Sequence, residues 1–329
     1  MYPKNAPFSF FTLLAILFLV SGCGSIGDEK ILKLGHGLDV NHSVHKAMVQ
    51  MGKDLKEISG GRLVLEIYPN QQLGSERECL ELLQIGSLDL TKVSAGAMEN
   101  FSPKMKVFGI PFLFRDREHS FKVLDGPIGK SLLNEGSKYW LKGLAYYDAG
   151  SRSFYTKETP VNSPEDLSGL KIRVQESVTS MDMVKNLGGS PTPISWGELY
   201  TSLQQGVVDG AENNPPSFYL SRHYEVCKYY SLDEHTVLPD ILVAGTTLWD
   251  RLNEQEKEWL QTAANRSVPN QRKLWAISEA EALKAVEEQG VTIIRPDKTL
   301  FLEKVQGIYE AYANDAVMSE LIQQIQETH

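Results

Sequence analysis

The sequence predicts an α/β fold divided into two lobes, and three observations carry that expectation. At 329 residues the chain exceeds one typical domain, so two cores are expected. Segments that alternate apolar and polar residues are interleaved with segments of helical period, the order from which helix-flanked sheets are built. The stretch "LQIGSLD", Leu83 to Asp89, is echoed by "LQQGVVD", Leu203 to Asp209, each a helix end, a glycine cap and a strand carrying an aspartate.

In chain order, "KILKLGHG" is a strand entering a loop, and "HSVHKAMVQMGKDLKEISGG" is a helix closed by Gly60 and Gly61. Strand "RLVLEIYP", helix "SERECLELLQIG" and strand "SLDLTKVS" follow, the opening of a doubly wound parallel sheet. A second cycle begins near "GLAYYDAGSRSFYT". It continues through a helix start at "NSPEDL", the strand "LKIRVQ", a helix from about Thr179 to Leu187, and the helix "SWGELYTSLQQG" leading into "VVDGAENN". The prolines of "SPTPIS" separate those two helices. "DILVAGTTLWDRL" is a strand and turn, followed by two long amphipathic helices around 253–290 and 299–327.

The N-terminal residues combine Lys4, an apolar run from Phe8 to Val20 and small residues leading to Cys23. That is the layout of a secretory signal, too short and abruptly ended for a membrane span. "VSGC", Val20 to Cys23, resembles the bacterial lipobox, whose cysteine is lipidated after cleavage; an ordinary signal peptide and an uncleaved anchor are the alternatives. The expected division is a signal over 1–22, a tether over 23–30, a first lobe of 31–149 plus 239–278, and a second of 150–238 plus 279–329. Every version places the working chain outside the cytoplasmic membrane.

Composition is that of an ordinary globular protein, 42% hydrophobic and 23% charged. The net charge of −9 argues against a polyanionic partner such as nucleic acid. Apart from Cys23 the cysteines are Cys79 and Cys227. An oxidising compartment permits a bridge between them, but their helical, apolar surroundings favour two free buried thiols. No Cys/His cluster has metal spacing, so neither metal nor cofactor is expected.

Enzyme motifs are absent: there is no G-x-S-x-G, no phosphate loop and no H-E-x-x-H, and "GHGLDVNH" lacks dinucleotide-site spacing. Polar groups gather instead at strand ends, where ligands of parallel α/β sheets bind. In the first lobe that rule points at Thr91, Lys92 and Ser94. In the second it points at Glu212, Asn213 and Asn214. Arg152 in "GSRSFYT" and Arg173 in "LKIRVQ" offer planar donor forks that match a carboxylate, although either strand face could be solvated. Trp196 is a core residue or a flat platform for a sugar ring.

The runs "LSGLKIRV", "GGSPTPISWGELYTSLQQGVVDGAENNPPSFY" and "YEVCKYYSLDEH" resemble the DctP-type extracytoplasmic solute-binding proteins of TRAP transporters, as does "GRLVLEIYPNQQLGSERECLELLQIGSLDLTKVS". The resemblance extends from about Ile31 to the C-terminus, and the lipobox departs from the freely soluble members. It implies a two-lobed, periplasmic-binding-protein-like fold with hinge crossovers, a long helix spanning both lobes, closure over an organic anion, and delivery to a membrane permease. It also implies Arg173 as the carboxylate anchor, Asn213 as its brace and Arg152 as a second arginine. Trp196 would line the cleft, with Glu76, His36 and Lys92 facing it from the first lobe and Asn214 beside Asn213. "IRVQES" with "DGAENNPPS" looks most like members that bind hexuronates such as glucuronate or galacturonate. Sialic acid, a keto-sugar acid and a C4-dicarboxylate are alternatives. So are coupling to a sensor kinase and, as a rival class, a sugar-acid lyase.

Overall fold

The computed structural model describes residues 29–329, so the expected signal and Cys23 lie outside the described residues. Among the described residues no helix is long and apolar enough to cross a membrane.

The chain runs β1 (Lys30–Gly35), α1 (Ser43–Ile58), β2 (Leu63–Tyr68), α2 (Glu76–Gln84) and β3 (Leu90–Ser94). α2 opens on a capping box in which Ser75 and Glu78 satisfy each other's backbone N–H groups, which holds Glu76 in the first turn. Then come α3 (Ala95–Met98), α4 (Arg117–Asp125), α5 (Pro127–Glu135), β4 (Leu141–Tyr147) and β5 (Ser151–Thr156). β6 (Lys171–Val174), α6 (Val178–Asn186), β7 (Ser190–Pro193), α7 (Leu199–Gln204), β8 (Gly210–Asn213) and α8 (Pro215–Leu220) build the second cycle. β9 (Tyr229–Val237), β10 (Asp240–Gly245), α9 (Thr246–Arg251), α10 (Glu254–Glu288), β11 (Thr292–Ile294), α11 (Lys298–Lys304), α12 (Gln306–Ala313) and α13 (Ala316–Gln326) complete it.

Two sheets result, one ordered β2-β1-β3-β10-β4 and one ordered β11-β9-β5-β8-β6-β7. The two-lobed α/β class is as expected, but each sheet is mixed. β1, β2 and β3 are parallel, whereas β10 runs antiparallel to β3 and β4. The reason is local: β10 starts beside the end of β3, with Asp240 opposite Ser94, and so has to run back the other way. Side chains alternate across each sheet. In β10, Ile241 and Val243 enter one apolar cluster while Leu242 and Ala244 enter the other. In β5, Phe154 and Tyr155 divide between the two clusters of the second lobe in the same way. β7 tolerates its prolines because it is an edge strand; the residues expected only to separate two helices thus add a strand.

Three segments cross between the lobes before the C-terminal helices. Asp148–Gly150 joins β4 to β5, and Gly150 is required there: its φ is +59° and a Cβ would lie 3.0 Å from Trp275 Nε1. Leu238 and Pro239 join β9 to β10. The third is α10, 35 residues long and about 52 Å at 1.5 Å per residue. Leu260, Ala263 and Trp275 pack it into the first lobe, and Val286 into the second.

The C-terminal end departs from expectation twice. The single helix expected over 299–327 is three helices: it breaks at Val305, and again at Asp315, whose side chain caps the N–H groups of Val317 and Met318 and starts α13. The block 279–329, expected to belong to the second lobe, also divides. Phe301, Val305 and Ile308 pack there, whereas Met318, Ile322 and Ile325 join a first-lobe cluster. The apolar face of α13 is buried only by crossing back.

Candidate functional site

The polar ends of β3, β5, β6, β8 and β10 converge on a cleft between the sheets whose open space is about 860 Å³. Arg152, Arg173, Trp196, Asn213, Asn214, Glu76 and Lys92 all line it. Seven of the eight binding residues expected from the sequence are therefore brought together.

Arg173 sits on β6 and is 2% exposed. Its Nε donates to the Ile194 carbonyl at 2.8 Å, and its guanidinium lies 5.8 Å from the Trp196 ring centre. No carboxylate pairs with it among the described residues, and its Nη1 is buried without a partner. Burial pulls its pKa below the usual arginine value, opposed by Tyr155 and Glu212. A buried cation of this kind is costly until an anion supplies the missing partner.

Arg152 is engaged differently. Nε and Nη2 grip the two oxygens of Glu212, Nη2 also donates to the Glu212 carbonyl at 2.8 Å, and Nη1 donates to Asn213 Oδ1 at 2.9 Å. Asn213 Oδ1 accepts a second bond from the Asn214 backbone, so its Nδ2 is the remaining donor. Asn214 Oδ1 caps α8 by accepting from the Ser217 N–H at 2.9 Å. Trp196 is partly buried on the second-lobe core and lines the cleft as well.

On the first-lobe wall Lys92 projects from a strand buried along its length, which obliges it to be paired. Its Nζ lies 3.2 Å from Glu76 Oε1 and 3.1 Å from Asp240 Oδ1. The two carboxylates hold the Lys92 pKa up against burial, while burial pushes Asp240 up to about 6. His36 does not line the cleft, contrary to expectation. Its Nδ1 accepts from the Leu38 N–H at 3.1 Å, which places the proton on Nε2 for donation to His45 Nδ1 at 3.0 Å. With both nitrogens used, burial drives its pKa down to about 2.

Among the lining residues that were not anticipated, His42, Gln71 and Trp275 stand out. His42 caps α1 through Nδ1, so Nε2 carries the proton. That nitrogen, Gln71 Nε2 and Trp275 Nε1 are buried without partners among the described residues. His42 ends the loop after β1 and Gln71 lies in the loop after β2, so both follow strand ends, whereas Trp275 in mid-helix carried no such signal.

The lobes touch around the cleft. Ser94 Oγ donates to Gln175 Oε1 at 3.1 Å, and Glu99 accepts from Thr179 N at 3.1 Å and Thr179 Oγ1 at 2.7 Å. These bonds join the ends of β3 and α3 to the turn after β6 and to the first turn of α6, shortly after Arg173 in sequence. They describe a closed arrangement.

The profile of the family described as "DctP: Bacterial extracellular solute-binding protein, family 7" matches residues 34–315. Solved structures agree. A TRAP periplasmic solute-binding protein from a Bradyrhizobium species, in complex with α/β-D-galacturonate, is 41% identical, with a TM-score of 0.89 over 91% of this chain and 100% of that one. One from Pseudomonas putida with bound D-glucuronate is 35% identical, TM-score 0.88, covering 91% and 97%. One from a Polaromonas species bound to D-erythronate is 34% identical, TM-score 0.89, covering 91% and 99%.

Proposed function

This chain belongs to the DctP family of bacterial extracellular solute-binding proteins, and from that premise we propose that it captures a hexuronate such as galacturonate or glucuronate and delivers it to a TRAP permease. Members of the family are substrate-binding receptors of transporters, so the lyase reading falls away. The observation that carries the proposal is the buried guanidinium of Arg173, which has no carboxylate partner among the described residues and lies on the cleft. A ligand carboxylate completes it by two parallel N–H···O bonds. Asn213 Nδ2 braces that carboxylate, and Trp196 offers a ring face to the apolar C–H side of the sugar.

The remaining groups suit hydroxyls. His42, Gln71 and Trp275 each present a buried donor, and Glu76 presents an acceptor. A C4-dicarboxylate would leave several of these unmatched in a closed cleft, at roughly 1–3 kcal/mol for each stranded group. Galacturonate and glucuronate in the two hexuronate complexes support the choice. D-erythronate in the third supports a shorter aldonate as the second reading.

The transport step is hinge closure. The anion docks on the second-lobe wall, the lobes swing together about the crossover segments, and the first-lobe wall completes the site. Lipidation of Cys23 would tether the receptor at the outer face of the membrane, a reading that rests on the "VSGC" sequence. Titration calorimetry of residues 24–329 with D-galacturonate, D-glucuronate, D-erythronate and succinate tests the ligand class. Micromolar or tighter binding of a hexuronate is expected, and succinate binding more tightly than either hexuronate would overturn the proposal.

A further inference from the structure

The two walls of the cleft carry different charge once their internal pairs are counted. In the second lobe Arg152 and His235 are buried cations, and Glu212 and Asp233 are buried anions. Arg152 grips Glu212, His235 Nε2 lies 3.5 Å from Glu212 Oε2, and His235 Nδ1 lies 2.7 Å from Asp233 Oδ2. Those four groups cancel, and among the buried groups of that wall Arg173 keeps its single positive charge; Glu176, half-exposed at the rim, faces Arg77 of the first lobe at 4.0 Å. In the first lobe one cation, Lys92, lies between two carboxylates, Glu76 and Asp240. With Asp240 pushed up only to about 6, this buried triad carries one excess negative charge at pH 7.5, while Arg77 at the rim is exposed and paired with Glu81 at 3.0 Å.

Hydrogen-bond polarity runs the same way. Glu76 Oε1 accepts from Lys92 Nζ and from the Ser94 N–H, and Oε2 has no donor among the described residues. A hydroxyl can donate to Glu76 while accepting from a buried donor such as His42 Nε2, Gln71 Nε2 or Trp275 Nε1. A carboxylate can only accept, so it meets Glu76 as acceptor against acceptor and charge against like charge.

We propose that this cleft selects acids with one carboxylate and a hydroxyl-bearing far end, and rejects the diacids that carry a second carboxylate at that end. The inference rests on the sugar-acid reading of the site and on Arg173 as the carboxylate anchor. It assigns a specificity role to the first-lobe triad: Glu76 contacts the ligand, and Lys92 and Asp240 position Glu76 and hold the wall's excess charge. Discrimination comes from the repulsive element as much as from the attractive one.

The test is calorimetry at pH 7.5 with D-galacturonate against galactarate, D-glucuronate against D-glucarate, and D-erythronate against meso-tartrate, on the wild type and on Glu76→Gln. The last pair is open-chain on both sides, which removes the sugar ring as a variable. The monoacid of at least one pair is expected to bind about a hundredfold more tightly than its diacid, a gap of about 2.7 kcal/mol. Glu76→Gln is expected to narrow that ratio by about tenfold, because it removes the charge and adds a donor at the same position. The inference is overturned if, in a pair that binds, the diacid comes within about threefold of the monoacid, or if Glu76→Gln leaves the ratio unchanged. If only D-erythronate binds among the monoacids, the hexuronate reading fails and this inference is decided on that pair alone. Binding by none of the six acids overturns both.

Discussion

Arg152 and Glu212 form a two-pronged ion pair in the second lobe, with Nη2 2.8 Å from Oε1, Nε on the other oxygen, and both side chains buried. The guanidinium that could have served as a second anion anchor is thereby neutralised from within its own lobe. Of its five N–H donors, four are committed.

Glu212→Gln should therefore destabilise the protein by roughly 3–5 kcal/mol, because it leaves a buried arginine without its counter-charge. Urea unfolding followed by circular dichroism measures the loss. A change below about 1 kcal/mol would mean that water or another anion compensates Arg152.

Arg173→Ala should act in the opposite sense on stability. Removing a buried cation that has no counter-charge among the described residues costs little, so the ligand-free melting temperature should hold or rise. Affinity for the sugar acid should fall by about two to three orders of magnitude, equivalent to roughly 3–4 kcal/mol. Calorimetry and thermal melts on the same preparation separate the two effects.

Glu99 touches the second lobe without lining the cleft, and it holds Thr179 at the start of α6 by two hydrogen bonds. Glu99→Ala should weaken ligand binding by about tenfold, since charge-assisted bonds of this kind contribute roughly 1.5–3 kcal/mol, partly offset by relaxation of the turn. Stopped-flow fluorescence should locate the change in the dissociation rate. An altered association rate alone would argue that these bonds persist in the open form.

His235 gives a pH dependence whose sign follows from its surroundings. Burial pulls its pKa down, but Asp233 and Glu212 outweigh that and push it up to about 9, from 6.5. The protonated form is favoured in the folded protein, so the associated stability is complete below pH 6.5 and is lost as pH rises through 9. Scanning calorimetry should show the melting temperature falling between pH 7 and 9.5, a loss on the order of 3 kcal/mol. His235→Gln should flatten that slope whatever its effect on overall stability.

Cys79 and Cys227 are both buried and unbridged. Burial pushes their thiols up to about 11 and about 12. In a chain starting after Cys23, neither should react with a disulfide reagent at pH 8 until denaturant is added, and both should then react.

The sequence by itself determined the class of fold, most of the strands and helices, and many of the polar residues that line the cleft. These are legible because they follow from local rules. Period-2 and period-3.6 patterning placed the elements, glycine caps ended them, and the strand-end rule singled out Lys92 and Asn213. It did not determine how those residues divide their charge. Arg152 and Arg173 look alike in sequence, each a lone arginine in an apolar strand. Only the register of β5 against β8, which sets Phe154 opposite Glu212 and Ser153 opposite Asn213, brings a carboxylate to one arginine and leaves none beside the other. Tertiary structure likewise turned His36 away and brought in His42, Gln71 and Trp275, the last from the middle of a helix. It also broke the C-terminal helix at Asp315 and carried α13 back to the first lobe. The physical reason is common to all of these. Pairing, burial and hydrogen-bond satisfaction depend on neighbours distant in the chain, and local periodicity carries no record of them.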